Sequence, residues 1–282
     1  MKKTKKRVKV VKMDVKKSAA RGKRRSFDLI GDVAVVEADS RAQAQALARH
    51  IIATCPQVKC MLREESAVKG KFRLQAYQLV WQDRAKIRQS GLGPTETVHR
   101  EHGCSYLLDV RKAFFNPREA TIRQALASLV LPGERVLVLF CGVGPYAILC
   151  AKRGAVVAGV DANPAAIRYA EANARKNKVH DRVQFVCADV RAFHRGETYD
   201  RVIMPLGTAA VEYIQEAFRL CEKGGTIHCF GVGPEASPFK EMEARIAREA
   251  RRAGVRVRFT GRRIVLPYAP RAVKVCVDVQ VL

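Results

Sequence analysis

The stretch RVLVLFCGVGPY, Arg135 to Tyr146, decides how this chain is read. An apolar run, Val136 to Phe140, stops at two glycines, Gly142 and Gly144, and a helix-compatible segment, AILCAKRG, follows. That order predicts a buried strand, a tight turn and a helix. Glycine lets backbone approach a bulky ligand, and the helix behind the turn aims its free N–H groups at that ligand. A lone Gly-x-Gly is weak evidence of a nucleotide site. Two carboxylates strengthen it: Asp161 ends the next apolar strand, AVVAGVD, and Asp189 ends a third, VQFVCAD. In a doubly wound sheet ligands bind beyond the carboxyl ends of the strands, and an acid after the second strand suits ribose hydroxyls.

Working outward, 282 residues allow two domains with sizeable cores. Lys plus Arg number 52 against 27 Asp plus Glu, a formal net charge of +25, which points to a polyanionic partner because each neutralised phosphate releases counterions. A membrane is the rival partner. No apolar run reaches the ~18 residues of a spanning helix, and Lys9 and Lys12 interrupt any secretory apolar segment, so nucleic acid is favoured and no membrane association is expected. The nine cysteines contain no C-x-x-C pair and lie mostly in apolar surroundings, which predicts reduced, buried thiols in a cytoplasmic protein. The six histidines show no zinc spacing, so no metal site is expected.

Residues 1–25 hold nine lysines and four arginines against one acid, Asp14, and read as a basic, disordered tail. A small α+β domain is expected over 26–110: a strand in FDLIGDVAVVEAD, a helix from Arg41 to Thr54 ended by Pro56, then VKCML, KFRLQAYQLVW, ETVHRE and CSYLLDV as an antiparallel sheet. QDRAKIRQSGLGP, 82–94, reads as a mobile basic hairpin loop. A linker helix starting near Pro117 occupies 111–134. Strands then alternate with helices over 135–282, which implies a parallel sheet, and the adjacent terminal strands VRVRFTGRR and VKVCVDVQV imply a closing antiparallel pair.

The glycine turn with Asp161 and Asp189 resembles the class I S-adenosylmethionine-dependent methyltransferases, an α/β fold with a doubly wound, Rossmann-like sheet. A narrower resemblance covers residues 27 to 282. FDLIGDVAVVE (27–37), GKFRLQAY (70–77), ETVHREHGCSYLLDVRKAFFNPREATIR (96–123), FCGVGPYAI (140–148), DANP (161–164) and DRVIMPL (200–206) are similar, in order, to blocks of the archaeal and eukaryotic tRNA (guanine-37-N1)-methyltransferases and their wybutosine-pathway relatives. The resemblance implies two domains that clamp an anticodon loop, with tRNA as partner, a monomer, and S-adenosyl-L-methionine as cofactor. Many members grip the tRNA body with a further N-terminal domain. Here the basic tail is expected to supply phosphate affinity.

Carried over by position, the resemblance implies cofactor contacts at Phe140, Gly142, Gly144, Asp161, Ala162, Asp189, Val190 and Pro205, and a phosphate or cofactor-carboxylate contact at Arg123. It implies that Arg73 holds the guanine O6 or a nearby phosphate, that Phe114 and Phe115 stack on a flipped-out base, and that Arg118 meets a phosphate. Against stacking, Phe115 equally suits linker-helix core packing. Two positions depart from the family. Ile122 stands where a glutamate takes the guanine N1 proton, and Pro205-Leu206-Gly207 replaces an Asn-Leu-Pro whose amide binds O6 or cofactor. Glu119, one helical turn before Ile122, shares roughly that face and is one candidate base; Asp189, and water acting on an N1 acidified by Arg73 at O6, are the others. The competing reading of Glu119 is a helix-start carboxylate favoured by the dipole. Two other functions compete with N1 methylation: the related aminocarboxypropyl transfer from the same cofactor, and tRNA binding without catalysis.

Overall fold

The computed structural model describes residues 27–65, 70, 72, 74–194 and 196–282. The basic tail and Arg73 lie outside them. The chain opens with β1 (Phe27–Ile30) and β2 (Val33–Val36), joined through Gly31, whose φ of +57° is the left-handed turn that glycine adopts without strain. Next comes α1 (Arg41–Thr54), started by Ser40, whose hydroxyl accepts from the Gln43 N–H. β3 (Cys60–Glu64) and β4 (Tyr77–Gln82) complete a four-stranded sheet of order β1-β2-β3-β4. β2 and β3 pair in parallel, because α1 is the crossover between them.

Two sequence expectations change here. The segment over 82–94 contains a helix, α2 (Arg84–Ser90), capped by Asp83, which accepts from the Ala85 and Lys86 N–H groups, and ended by Gly91 at φ +67°. Nor do ETVHRE and CSYLLDV join the small sheet. As β5 (Glu96–Glu101) and β6 (Cys104–Asp109) they form a separate two-stranded hairpin. A two-stranded sheet is marginal alone. Side chains from the large sheet's helix layer complete its hydrogen bonding, as described below.

After a single 3-10 turn at Pro117–Glu119 come α3 (Ala120–Ala127), β7 (Arg135–Leu139), α4 (Pro145–Lys152), β8 (Val156–Asp161) and α5 (Pro164–Lys176). β9 (Val183–Cys187), β10 (Tyr199–Met204), α6 (Ile214–Leu220), β11 (Cys221–Pro234), α7 (Lys240–Arg252), β12 (Val257–Ala269) and β13 (Ala272–Val281) follow. The large sheet has the order β12-β13-β11-β10-β7-β8-β9. β9, β8, β7, β10 and β11 are parallel, and β13 and β12 close the sheet antiparallel. Side chains alternate across it with the two-residue period of a strand. Val136 and Val138 pack with Leu126, Ile148 and Ile167 of α3, α4 and α5. Leu137 and Leu139 pack with Ile214, Ala217, Met242 and Ile246 of α6 and α7 on the other face.

α5 binds the hairpin edge through two asparagines. The Asn173 side chain accepts from the Leu107 N–H at 2.6 Å and donates to the Leu107 and Val143 carbonyls, each at 3.0 Å. Asn177 repeats the pattern at Ser105, accepting from its N–H at 2.9 Å and donating to its carbonyl at 2.7 Å. On the hairpin's other side the Gly31 and Asp32 N–H groups donate to His99 Nδ1 and Thr97 Oγ1. A continuous core results, running from Val33 and Leu62 of the small sheet through Tyr106 and Phe115 to Val143. All nine cysteines are free thiols; Cys187 is exposed and Cys55 half-buried.

Candidate active site

Strand order reverses between β7 and β10, since the chain runs outward from β7 through β8 to β9 and returns on the opposite side. A cleft of about 720 Å³ opens beyond the carboxyl ends of these strands, at the switch point where open α/β sheets bind ligands. Its floor is made by Phe140, Gly142, Asp161, Ala162, Asp189 and Val190. Pro205 to Ala209 and Tyr213 line the β10 side. A second wall holds Phe114, Asn116, Glu119 and Lys274, with Phe72 and Gln75 reaching in from the small-sheet region and Leu266 and Tyr268 from β12.

The floor is stiff. Asp161 Oδ2 accepts from the Gly142 N–H at 2.8 Å and Oδ1 from the Asn163 N–H at 2.9 Å, so one carboxylate fixes the glycine turn and the start of α5. Burial lifts the Asp161 carboxyl above its ordinary range, opposed by these backbone donors. Phe140 sits at φ +57°, a left-handed conformation costing a phenylalanine about 1–3 kcal/mol. Its ring meets Tyr213 edge-on at 4.9 Å, and Tyr213 in turn carries the Arg191 guanidinium at 4.4 Å. Such a strained aromatic persists only where its surroundings hold it, and here it lines the cleft.

The second wall carries the charge. Glu119 and Lys274 are both buried, and Lys274 Nζ donates to Glu119 Oε1 at 2.6 Å. Tyr146 donates its hydroxyl to Glu119 Oε2 at 3.2 Å, and Asn116 Nδ2 donates to Oε1 at 3.3 Å. Burial, and then the neighbouring carboxylate, push the Tyr146 phenol well above its ordinary value, so it keeps its proton and remains a donor. Lys274 also lies 5.3 Å from the Phe230 ring centre. Neither Lys274 nor Tyr146 is singled out by sequence. The available signal was Lys274 and Asp278 interrupting the valines of AVKVCVDVQV, since charges inside a fully covered strand need partners.

Of the other sequence candidates, Phe114 is 44% exposed at the cleft rim. Arg118 is half-exposed and donates to Asp28 of β1 at 2.6 Å, bridging the small sheet to the 3-10 turn. Three expectations are corrected. Phe115 does not face the cleft; it is buried against His99, 4.9 Å between ring centres, and under Arg123. Arg123 does not reach the cleft either. Its Nε and Nη2 donate to the two Glu101 oxygens at 2.6 Å each, and burial alone would lift Glu101, yet His99 and Arg123 hold that carboxyl below its ordinary range. Gly144 is a packing glycine: at φ +86°, its added Cβ would lie 2.9 Å from the Phe185 ring. Ile122 is buried and does not border the cleft.

Among the described residues His228, Cys276 and Asp278 are the cluster with metal-ligand chemistry. Arginines engage it: Arg201 meets His228 Nε2 at 2.6 Å, and Arg263 donates to both Asp278 oxygens at 2.6 Å. The cluster is thus a hydrogen-bonded network tying β10, β11, β12 and β13 together.

Residues 97–258 match the TRM5/TYW2 methyltransferase domain. Over 258 residues the chain is 36% identical to the tRNA (guanine(37)-N(1))-methyltransferase Trm5b of Pyrococcus abyssi, covering 91% of this chain and 74% of that protein. The chain belongs to the TRM5/TYW2 methyltransferase family. The crystal structure of that Trm5b superposes with a TM-score of 0.79 at 35% identity, covering 91% of this chain and 74% of the other. A second TRM5/TYW2 structure, Pyrococcus horikoshii TYW2 in complex with MeSAdo, gives a TM-score of 0.75 at 26% identity over 91% and 90% of the two chains. The tRNA(Phe) (4-demethylwyosine(37)-C(7)) aminocarboxypropyltransferase of Pyrococcus horikoshii is 28% identical, covering 79% of this chain and 77% of that protein. These likenesses fit the class I methyltransferase sheet described above, with its smaller α+β unit at the N-terminal side. Among the described residues no helix is long and apolar enough to cross a membrane.

Proposed function

We propose that this chain is an S-adenosylmethionine-dependent tRNA methyltransferase that modifies guanosine 37 at N1, or acts on the tricyclic derivative of that nucleoside, in the anticodon loop. The observation that carries the reading is the cleft itself, which is lined both by Asp161 with its glycine turn and by a buried Glu119–Lys274 pair. The floor suits an adenosine: carboxylates at Asp161 and Asp189 for ribose and base, close backbone at Gly142 and Ala162, and apolar side chains at Phe140, Val190, Leu206 and Tyr213. When bound there, the cofactor supplies an electrophilic sulfonium methyl group.

N1 of guanine carries a proton, and alkylation leaves a cation unless that proton departs. Glu119, which lines the same cleft, is the group that takes it. Phe114, exposed at the rim, stacks on the flipped-out base. Arg118 meets a phosphate, and Arg73, beyond the described residues, is assigned to O6 or a nearby phosphate on sequence grounds alone. The net charge of +25 supports a tRNA partner, and the buried free thiols fit a reducing cytoplasm; action as a monomer belongs to the same proposal.

The test is incubation of the full chain with labelled cofactor and, in parallel, unmodified tRNA and tRNA carrying tricyclic 4-demethylwyosine at position 37, followed by nucleoside mass spectrometry. N1-methylguanosine at position 37 is the expected product. Pro205-Leu206-Gly207 lines the cleft where the family's amide would stand, and this, with the similarity to an aminocarboxypropyltransferase, favours a second reading in which the larger group is transferred. An aminocarboxypropyl adduct would establish that reading. An unmodified tRNA that nevertheless binds would leave only the non-catalytic one.

A further inference from the structure

We propose that Lys274 is a specificity-determining and catalytic residue, forming with Glu119 a two-part reader of the guanine edge. The proposal rests on the guanine-N1 reading above, leaves Arg73 to the nearby phosphate, and assigns a group to O6 that the Pro205-Leu206-Gly207 loop does not supply.

The geometry is that of a complementary edge. Guanine presents an acceptor, O6, beside a donor, N1–H. The cleft wall presents a donor, Lys274 Nζ, held 2.6 Å from Oε1 of the Glu119 carboxylate, whose other oxygen, Oε2, accepts from Tyr146 and keeps a lone pair for N1–H. An ammonium carries three N–H donors, and among the described residues Glu119 is the hydrogen-bond acceptor that Nζ meets, which leaves donors for a ligand. Tyr146 and Asn116 hold the carboxylate, and the Phe230 ring lies 5.3 Å from the ammonium. The pair is therefore oriented before a base arrives. Adenine inverts the pattern, with an amino donor where guanine has O6 and an acceptor at N1. It would set donor against ammonium and lone pair against carboxylate.

The same pair performs the proton chemistry. The N1–H bond breaks and its proton passes to Glu119. The electron pair left on N1 forms the bond to the methyl carbon, while the carbon–sulfur bond breaks and its pair stays on sulfur, giving a neutral thioether. As N1 loses its proton, negative charge spreads to O6, and Lys274 stabilises it there in a site largely removed from water. A proton acceptor at N1 and a cation at O6 thus act on one event.

Two measurements on the full chain separate this role from mere support of Glu119. The first is single-turnover methylation of guanosine-37 tRNA by wild type, Lys274→Met and Lys274→Arg across neutral to alkaline pH. Lys274→Met is expected to be about 100-fold slower at neutral pH, the scale of losing a proton-transfer partner. Its deficit should shrink as pH rises and N1 ionises without help, and Lys274→Arg should recover most of the rate. The second needs no turnover: competition binding of guanosine-37 and adenosine-37 tRNA with S-adenosylhomocysteine present. Lys274→Met should erode the preference for guanosine about 10-fold, the worth of a paired base contact. If Lys274→Met has no folded thermal transition, Lys274→Gln carries both readouts. A deficit equal at every pH together with an unchanged preference would overturn the proposal. A wild type that binds S-adenosylhomocysteine yet makes no N1-methylguanosine would instead sink the methylation reading on which it rests.

Discussion

Asp161 uses both carboxylate oxygens on backbone of its own site, at Gly142 and Asn163, and still borders the cleft. The Ala162 N–H also contributes, and of the carboxylate's four lone-pair sites one remains, so the group can shape the turn and accept a ribose hydroxyl together. Asp161→Ala should weaken S-adenosylhomocysteine binding by about 1.5–3 kcal/mol, the usual scale for a hydrogen bond to a charged acceptor. Titration calorimetry reads this directly, and an unchanged affinity would remove Asp161 from the site. Asp161, Gly142 and Phe140 were legible in sequence because each marks the end of an apolar strand, a local signal. Lys274 was not, because its partner Glu119 stands 155 residues earlier and only the closed sheet brings β13 beside the 3-10 turn. Phe115 and Arg123 misled for the converse reason. Their residue types suit RNA, but the hairpin supplies His99 and Glu101 as partners that the pattern alone does not show.

At the scale of elements, the antiparallel closure on β13 brings its polar residues under load. Arg201 donates to His228 Nε2, so Nδ1 carries the proton and donates it to Asp278 at 2.7 Å. Burial lowers the affinity of His228 for a second proton, against the pull of Asp278. Burial would raise Asp278, but His228 and Arg263 hold it down to about 2, from 3.8. Both folded pKa values lie below their unfolded ones, so the unfolded chain binds more protons and stability falls as pH drops. His228 contributes from its ordinary 6.5 downward and Asp278 between 3.8 and about 2. Urea unfolding at pH 7 and pH 5 should show the loss, and His228→Gln should flatten it; equal slopes in both proteins would assign the loss elsewhere. From sequence the α2 segment reads as a loop, although Asp83 and Gly91 bracket it with a start and a stop signal. Its short length and charge gave no apolar stripe to outweigh the turn residues. A different element, α5, uses amides in place of charges. Four residues of helix rise about 6 Å, close to the two-residue repeat of a strand, which is why Asn173 and Asn177 meet Leu107 and Ser105. Asn173→Ala should cost about 2–4 kcal/mol by stranding the buried groups it serves, measured by urea unfolding. A cost below the scatter of surface substitutions would mean that water replaces the amide.

For the whole molecule, charge and core bear on different parts of the proposed RNA binding. The chain's charge excess is only partly in residues 1–25, so the body itself remains basic. Deleting those residues should lower tRNA affinity and flatten the slope of log affinity against log salt, by about 0.7 per lost phosphate contact if single-stranded RNA is the partner. It should leave the modified nucleoside unchanged. An identical slope would show that the tail makes no contact with RNA. The continuous core through Val33, Leu62, Tyr106, Phe115 and Val143 bears on the other half of the energetics. Turning the small sheet away from the methyltransferase sheet would part close-packed side chains and break the two hydrogen bonds from Gly31 and Asp32 to the hairpin. Packing within the chain therefore holds the two units at a defined angle. On the proposed reading, the anticodon loop then has to turn its base out to meet this surface.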